Sequence, residues 1–187
     1  GNNNDWSDPT HWVGSVAPSN TDVAVFDNTA GGNKEDSVLD ATHGGIIAGL
    51  IMTNATDNIL TLNRSLTVNG TVSIAEGLDS DAYTLWAGSS PVTANVVRIG
   101  DLGTSSAQAT SIGVLNAATF GSTLTVKDEL TLGRSAPSVS ANASGSLVIL
   151  NLTLGTDNDN TADVNIGSIF GSAEIATSIS SASVIIS

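Results

Sequence analysis

Two stretches decide how this chain reads: LTLNRSLTVNG at residues 60–70 and LTVKDELTLGR at residues 124–134. Each consists of two apolar-Thr-apolar triplets separated by three polar residues. Alternation of apolar and polar side chains with period two is the mark of a β-strand with one face buried and the other exposed. Working outward, the same alternation continues through Val72 and Ile74, Val97 and Ile99, Leu150 to Leu154, Val164 and Ile166, and then residues 175–186. Gly, Asn, Asp and Ser bound these short segments, as turn residues do. No stretch carries a convincing helical period. The nearest, residues 107–118, is interrupted by Thr110, Ser111, Gly113 and Asn116 and reads as strand and turn.

The segments also resemble one another. An apolar-x-apolar-Gly pattern recurs at residues 97–100, 130–133, 152–155 and 164–167. Self-similar short strands imply a repeat architecture. The chain therefore predicts an all-β fold, a parallel β-solenoid (β-helix) in which each coil stacks on the one below. Such stacking explains an inner face of Leu, Val and Ile alone, and lets outward Thr and Asn align in ladders. Gly at a strand end supplies the positive φ of a corner. A β-sandwich or jelly roll is the competing architecture, because it too uses many short strands.

Composition narrows the function. Charged residues make up only 12% of the chain, well under the usual quarter of a soluble domain, so the surface is built from Ser, Thr, Asn and Gly. Eighteen acidic against five basic residues give a net charge of −13. Phosphate binding needs clustered Lys and Arg, so nucleic acid is excluded as a partner, and anionic lipid with it. The charge itself reads as solubility by self-repulsion. With no Cys there is no disulfide or thiolate metal site. No apolar run reaches the roughly 18 residues of a membrane-spanning helix. The chain opens on Gly without a signal peptide, which reads as a processed or excised product.

Residues 1–58 differ from the rest. They hold Trp6, Trp12 and Phe26, both His and two Pro. They read as an N-terminal cap with the first coils, since a repeat array must cover its open apolar end and large aromatics do so well. Residues 59–172 read as the repeats, and 173–187 as a terminal strand and candidate assembly segment. This last stretch alternates Ile175, Ile179, Val184 and Ile186 with small polar residues and carries one charge, Glu174. An unprotected strand of that kind pairs readily with another chain.

The opening WSDPTHWVGSVAPSNTDVAVFDN, residues 6–28, resembles the start of bacterial passenger-type proteins with autotransporter-associated β-strand repeats. The positions that carry the resemblance are Trp6, Trp12, Gly14, Pro18 and Asp22, then the Val23-Ala24-Val25-Phe26 run. Residues 44–74 look like that family's first coils. The resemblance implies secretion across a bacterial outer membrane and a β-helix displayed outside the cell, with adhesive or structural roles. Members of the family are typically longer, and autotransporters end in a membrane barrel. This chain has neither feature, so it reads as a fragment or a short free-standing relative.

Candidate chemistry is sparse. Asp157, Asp159 and Asp163 alternate in TDNDNTAD, an oxygen-rich loop of the type that suits Ca²⁺, although it lacks the Gly and Glu of an EF-hand. A solvated turn is the plainer reading, and no other cofactor is expected. His11 and His43 stand near no nucleophile motif or metal-ligand spacing and read as packing or surface residues. Asp36 and Asp40 flank Leu39, but one acid pair on one strand makes no hydrolytic site. The expectation is therefore a non-enzymatic, extracellular structural protein that polymerises through its strands. The alternative is a monomeric adhesin that binds glycan or another cell surface.

Overall fold

The computed structural model describes residues 4–27, 36–54, 56–76, 80–102, 110–134, 142–149, 151–154, 163–166, 171–176 and 183–186. A single turn of 3-10 helix at Pro9–His11 precedes fifteen described strands. They are β1 (Val23–Asp27), β2 (Ser37–Leu39), β3 (Ile46–Ile47), β4 (Gly49–Thr53) and β5 (Thr56–Leu62). Next come β6 (Leu66–Glu76), β7 (Ser80–Gly88), β8 (Val92–Asp101), β9 (Thr110–Ala117) and β10 (Thr123–Leu132). The series ends with β11 (Asn142–Ile149), β12 (Asn151–Leu154), β13 (Asp163–Ile166), β14 (Gly171–Ala176) and β15 (Ser183–Ile186). Among the described residues, no helix is long and apolar enough to cross a membrane.

The all-β expectation holds, but the expected architecture does not. The strands form two open sheets, one of nine strands in the order β1-β4-β6-β8-β10-β12-β15, with β3 on β6 and β13 on β10. The other has six, in the order β14-β11-β9-β7-β5-β2. Among the described residues neither sheet closes on itself, so the expected parallel β-solenoid (β-helix) is corrected to two parallel sheets. Period-two patterning fixes which face of a strand is buried and says nothing of how sheet edges end. The sandwich and jelly-roll alternative falls too: those folds pair neighbours antiparallel, whereas each pairing among the described strands is parallel.

Parallel, in-register pairing places like residues in columns. In the nine-stranded sheet, Leu66, Val92, Leu124 and Leu152 make one buried column, and Val72, Val97 and Leu130 another. On the opposite face Thr67, Thr93, Thr125 and Thr153 stand in line, the outward ladder that the sequence suggests. The column pattern breaks at a register shift between Val68 and Thr71 of β6, repeated between Val126 and Glu129 of β10. At the C-terminal ends of β6, β8 and β10 stand Ala75, Gly100 and Gly133, all with positive φ. One continuous core runs from Trp6 to Leu154. Strand β5 runs across residue 58 and β14 across residue 172.

Column residues compensate for one another in volume. Leu60 pairs with Trp86, whose indole meets the Phe120 ring edge-on at 6.2 Å, and Ala117 pairs with Ile149. At the narrow end, the two sheets touch through glycine. A Cβ at Gly113 would lie 2.5 Å from the Gly100 N and the Ile74 O, with no flexible side chain to yield. The paired Gly145 sits in the same column. Substitution Gly113→Ala is therefore expected to cost about 1–3 kcal/mol of overpacking. Urea unfolding followed by circular dichroism reads that loss, and an unchanged midpoint would mean that the sheets part here without cost.

Candidate functional site

The chemistry-bearing side chains gather where the first strands of both sheets lie. Asp5 forms a parallel bridge with Val38, the Val38 N–H donates to the Asn4 carbonyl, and the Trp6 N–H donates to the Val38 carbonyl. Residues 4–6 thus lie along the outer side of β2. Trp6, almost wholly buried, meets Trp12 edge-on at 5.6 Å, Phe26 at 5.9 Å and His43 edge-on at 5.5 Å. The Trp12 indole N–H donates to the Trp6 carbonyl at 2.9 Å, which fixes the second ring against the first. The three aromatics that the sequence singles out are brought together.

Turns around this cluster are tied by local polar bonds. Asp8 caps the Pro9–His11 turn by accepting from the Thr10 N–H and hydroxyl. Asp40 accepts from the Ser7 N–H through one oxygen, and from the Thr42 N–H, Thr42 hydroxyl and His43 N–H through the other. One carboxylate therefore staples the aromatic segment to the turn after β2. His43 is buried with both ring nitrogens engaged: Nδ1 accepts from the Gly45 N–H, and Nε2–H donates to the Pro18 carbonyl. That pattern occupies both ring nitrogens and leaves neither for a metal. Arg64 donates to the Ala41 and His43 carbonyls and holds the same turn from the other side.

Two concavities flank Trp12. One, of about 370 Å³, is lined by Asn4, Asp5, Trp6, Thr10, His11, Trp12, Val13, Val25, Phe26, Asp27, Asp36 and Ser37. The other, of similar volume, is lined by Trp12, Val13, Val16, Pro18, Asp22, Val23 and Val25. Val13, Val16, Val23 and Val25 are all exposed, so the second is an apolar patch beside strand β1.

A separate ionic network lies on the outer face of β8 and β10. The Asp101 carboxylate is fully buried and receives both Arg134 Nε at 2.9 Å and Nη2 at 2.7 Å. Arg98 bridges Glu76 and Glu129, and the Thr131 hydroxyl donates to Glu129. Burial pushes Glu129 up, but the Thr131 hydroxyl and Arg98 outweigh it and hold the carboxyl below its ordinary range. A carboxylate so held does not serve as a general acid at neutral pH; the network ties β6, β8 and β10 together.

The remaining sequence candidates separate. Ile175 lies in β14 opposite Leu147, while Val184 and Ile186 lie in β15 opposite Leu152 and Leu154, far along the strand order from the aromatic cluster. Asp163 opens β13 opposite Glu129. Asp157, Asp159 and Ile179 fall outside the described residues. Among the described residues, no group of His, Asp or Glu is placed to hold a metal ion. Sequence reasoning missed the Asp40 staple, although Asp40-x-Thr42-His43 is a legible Asx turn. It also missed the Asp101–Arg134 pair, 33 residues apart, for which no local signal exists.

Asp40 yields a pH prediction. Burial raises its pKa, but the hydrogen bonds from Thr42 and Ser7 outweigh that and hold it well below the ordinary carboxylate range. A folded pKa below the unfolded one contributes stability that is full above about pH 4 and is lost as pH falls toward the folded value. Replacement Asp40→Ala should cost about 1–3 kcal/mol at neutral pH and flatten the loss of stability on acidification. Denaturation monitored by tryptophan fluorescence between neutral and strongly acidic pH checks this, and a variant with the parent's profile would remove Asp40 from the account. Compared with known protein families, curated proteins and solved structures, the chain matches none of them.

Proposed function

We propose that this protein is an extracellular structural protein that assembles head to tail, with the outer edge of β1 receiving a parallel strand of another copy. The single observation behind this reading is the state of that edge. Strand β1 pairs with β4 on one side, and no described strand lies on the other. Its outward residues Val23 and Val25 are about half exposed and adjoin exposed Val13 and Val16. Natural sheets normally blunt such edges with Lys, Pro or a covering segment. The six-stranded sheet has that cover at β2, where residues 4–6 lie alongside; the nine-stranded sheet is without it at β1 among the described residues.

The occupant is argued from polarity. All strands of the nine-stranded sheet run the same way, so a second copy docking by the opposite side of its own sheet meets β1 in parallel register. Such a contact is heterologous and propagates into a filament instead of closing. The resemblance of residues 6–28 to secreted passenger proteins supports an extracellular, bacterial cell-surface setting for this assembly, and the uncharged polar surface suits it.

The test is sedimentation and negative-stain microscopy across a concentration series. The parent chain should form polymers, and Val16→Lys with Val23→Lys should reduce them at least tenfold while circular dichroism stays that of a folded β protein. Deleting residues 173–187 should have the same effect if that segment supplies the incoming strand. A parent chain that stays monomeric at high concentration would overturn the proposal.

A further inference from the structure

We infer that the concavity between Trp12 and the segment alongside β2 is a binding site for a neutral hexopyranose unit of a glycan, independent of the assembly proposed above. Its volume of about 370 Å³ falls in the range of small-ligand pockets, about 300–1,000 Å³. Its walls come from three separate parts of the chain: residues 4–13, the end of β1 and the start of β2. Trp12 and Phe26 are only partly buried there and are held rigidly, Trp12 by its bond to the Trp6 carbonyl and by its contacts with both rings.

The polar complement decides the ligand class. Asp5, Asp27 and Asp36 contribute carboxylates, and the lining by described residues includes neither Lys nor Arg. Those carboxylates repel anionic ligands, uronic acids and phosphates among them. Two further lining residues, Trp6 and Ser37, each bury a polar atom that makes no hydrogen bond among the described residues, the indole Nε1–H and the hydroxyl Oγ. A buried unpaired N–H is costly and is normally satisfied by an acceptor. A tetraalkylammonium cation answers carboxylates but brings no acceptor. A neutral polyhydroxyl ring brings donors for the carboxylates, acceptors for N–H and O–H groups, and a C–H face for the electron-rich face of an aromatic ring. Of the three classes, only the neutral sugar matches every group present.

The experiment uses the full chain carrying Val16→Lys and Val23→Lys. Both substitutions lie outside this cavity, so binding is read on soluble protein whether or not the parent polymerises. Isothermal calorimetry and tryptophan fluorescence are run with the hexasaccharides of glucose (α- and β-linked), mannose and N-acetylglucosamine. Hexagalacturonate and tetramethylammonium serve as charged comparators. At least one neutral oligosaccharide should bind with Kd of about 1 mM or tighter and perturb the indole emission. Trp12→Ala should weaken it at least about tenfold. Because Trp12→Ala alters packing, Asp5→Asn, which keeps size and exchanges an acceptor for a donor, provides a second readout and should weaken binding while the thermal midpoint is kept. No binding by any neutral oligosaccharide, equal binding of hexagalacturonate, or selective binding of tetramethylammonium would each overturn the assignment.

Discussion

Parallel, in-register stacking is the constraint on which everything else in this molecule depends. Once Leu66 lies beside Val92 and Val92 beside Leu124, the inward face of every strand must match its neighbours in size as well as polarity. A residue too large in one layer has to be offset in the next, as Trp86 is by the small Ala117, which lies one step beyond the Leu85–Asn116 pair. Where the two sheets converge no offset is left, and glycine lets the backbones touch, Gly113 against Gly100 and Gly145 against Gly133. Outward positions obey the same register with a different chemistry. Threonine fills them because its β-branched side chain fits the pleat and its hydroxyl stays solvated.

Stacking solves the interior of the sheets and leaves the problem of where they begin. At the first strand of the six-stranded sheet, the answer is a short segment joined by one backbone bridge at Asp5 and Val38. Its aromatic side chains then cover the end of the core. Four hydrogen bonds converging on Asp40 keep that segment in place. Among the described residues no comparable device protects β1, whose exposed valines continue the apolar surface instead of ending it. The same local structure therefore accounts for a covered edge, an exposed edge and the concavity between them. The concavity exists because residues 4–13 must bridge from one sheet to the other over side chains too large to pack flat.

The strand content was legible because alternation is local: LTL, LTV and VRI each announce one buried and one exposed face. Equivalence between repeats was not. The look-alike stretches at residues 60–70 and 124–134 are out of phase in space. The first divides between β5 and β6, in different sheets, while both triplets of the second lie in β10. The true partner of Leu124-Thr125-Val126 is Leu66-Thr67-Val68 by way of β8, and that of Leu130-Thr131-Leu132 is Val72-Ser73-Ile74. In the same way, Leu152-Thr153-Leu154 belongs to the first half of its column, and Val97-Arg98-Ile99 and Leu130-Thr131-Leu132 to the second. Register is set by long-range pairing and by the turn geometry between strands, and a triplet repeated three or four times satisfies several registers equally well. The aromatic cluster was legible from composition alone, since Trp6, Trp12 and Phe26 stand out in a chain that is only 4% aromatic. The carboxylates around it were not, because Asp5 and Asp36 come together only through the bridge to β2.

Charge distribution sets the terms on which such a molecule meets others. Of five basic residues, Arg98 and Arg134 are engaged in the network around Asp101, and Arg64 donates to the carbonyls of one turn. The strands therefore present Thr, Ser and Asn to solvent while the net −13 acts at longer range. At physiological ionic strength fields between exposed charges decay over roughly 8 Å. Repulsion between two copies is then short-ranged, and at the valine-lined edge of β1 it arises locally from Asp22 and Asp27, one at each end of the Val23–Phe26 run. At low salt the screening length grows severalfold and the same copies are held apart. Apolar contact at the edge does not depend on salt in this way. For the proposed edge pairing, ionic strength is thus the variable that divides dispersed from paired copies.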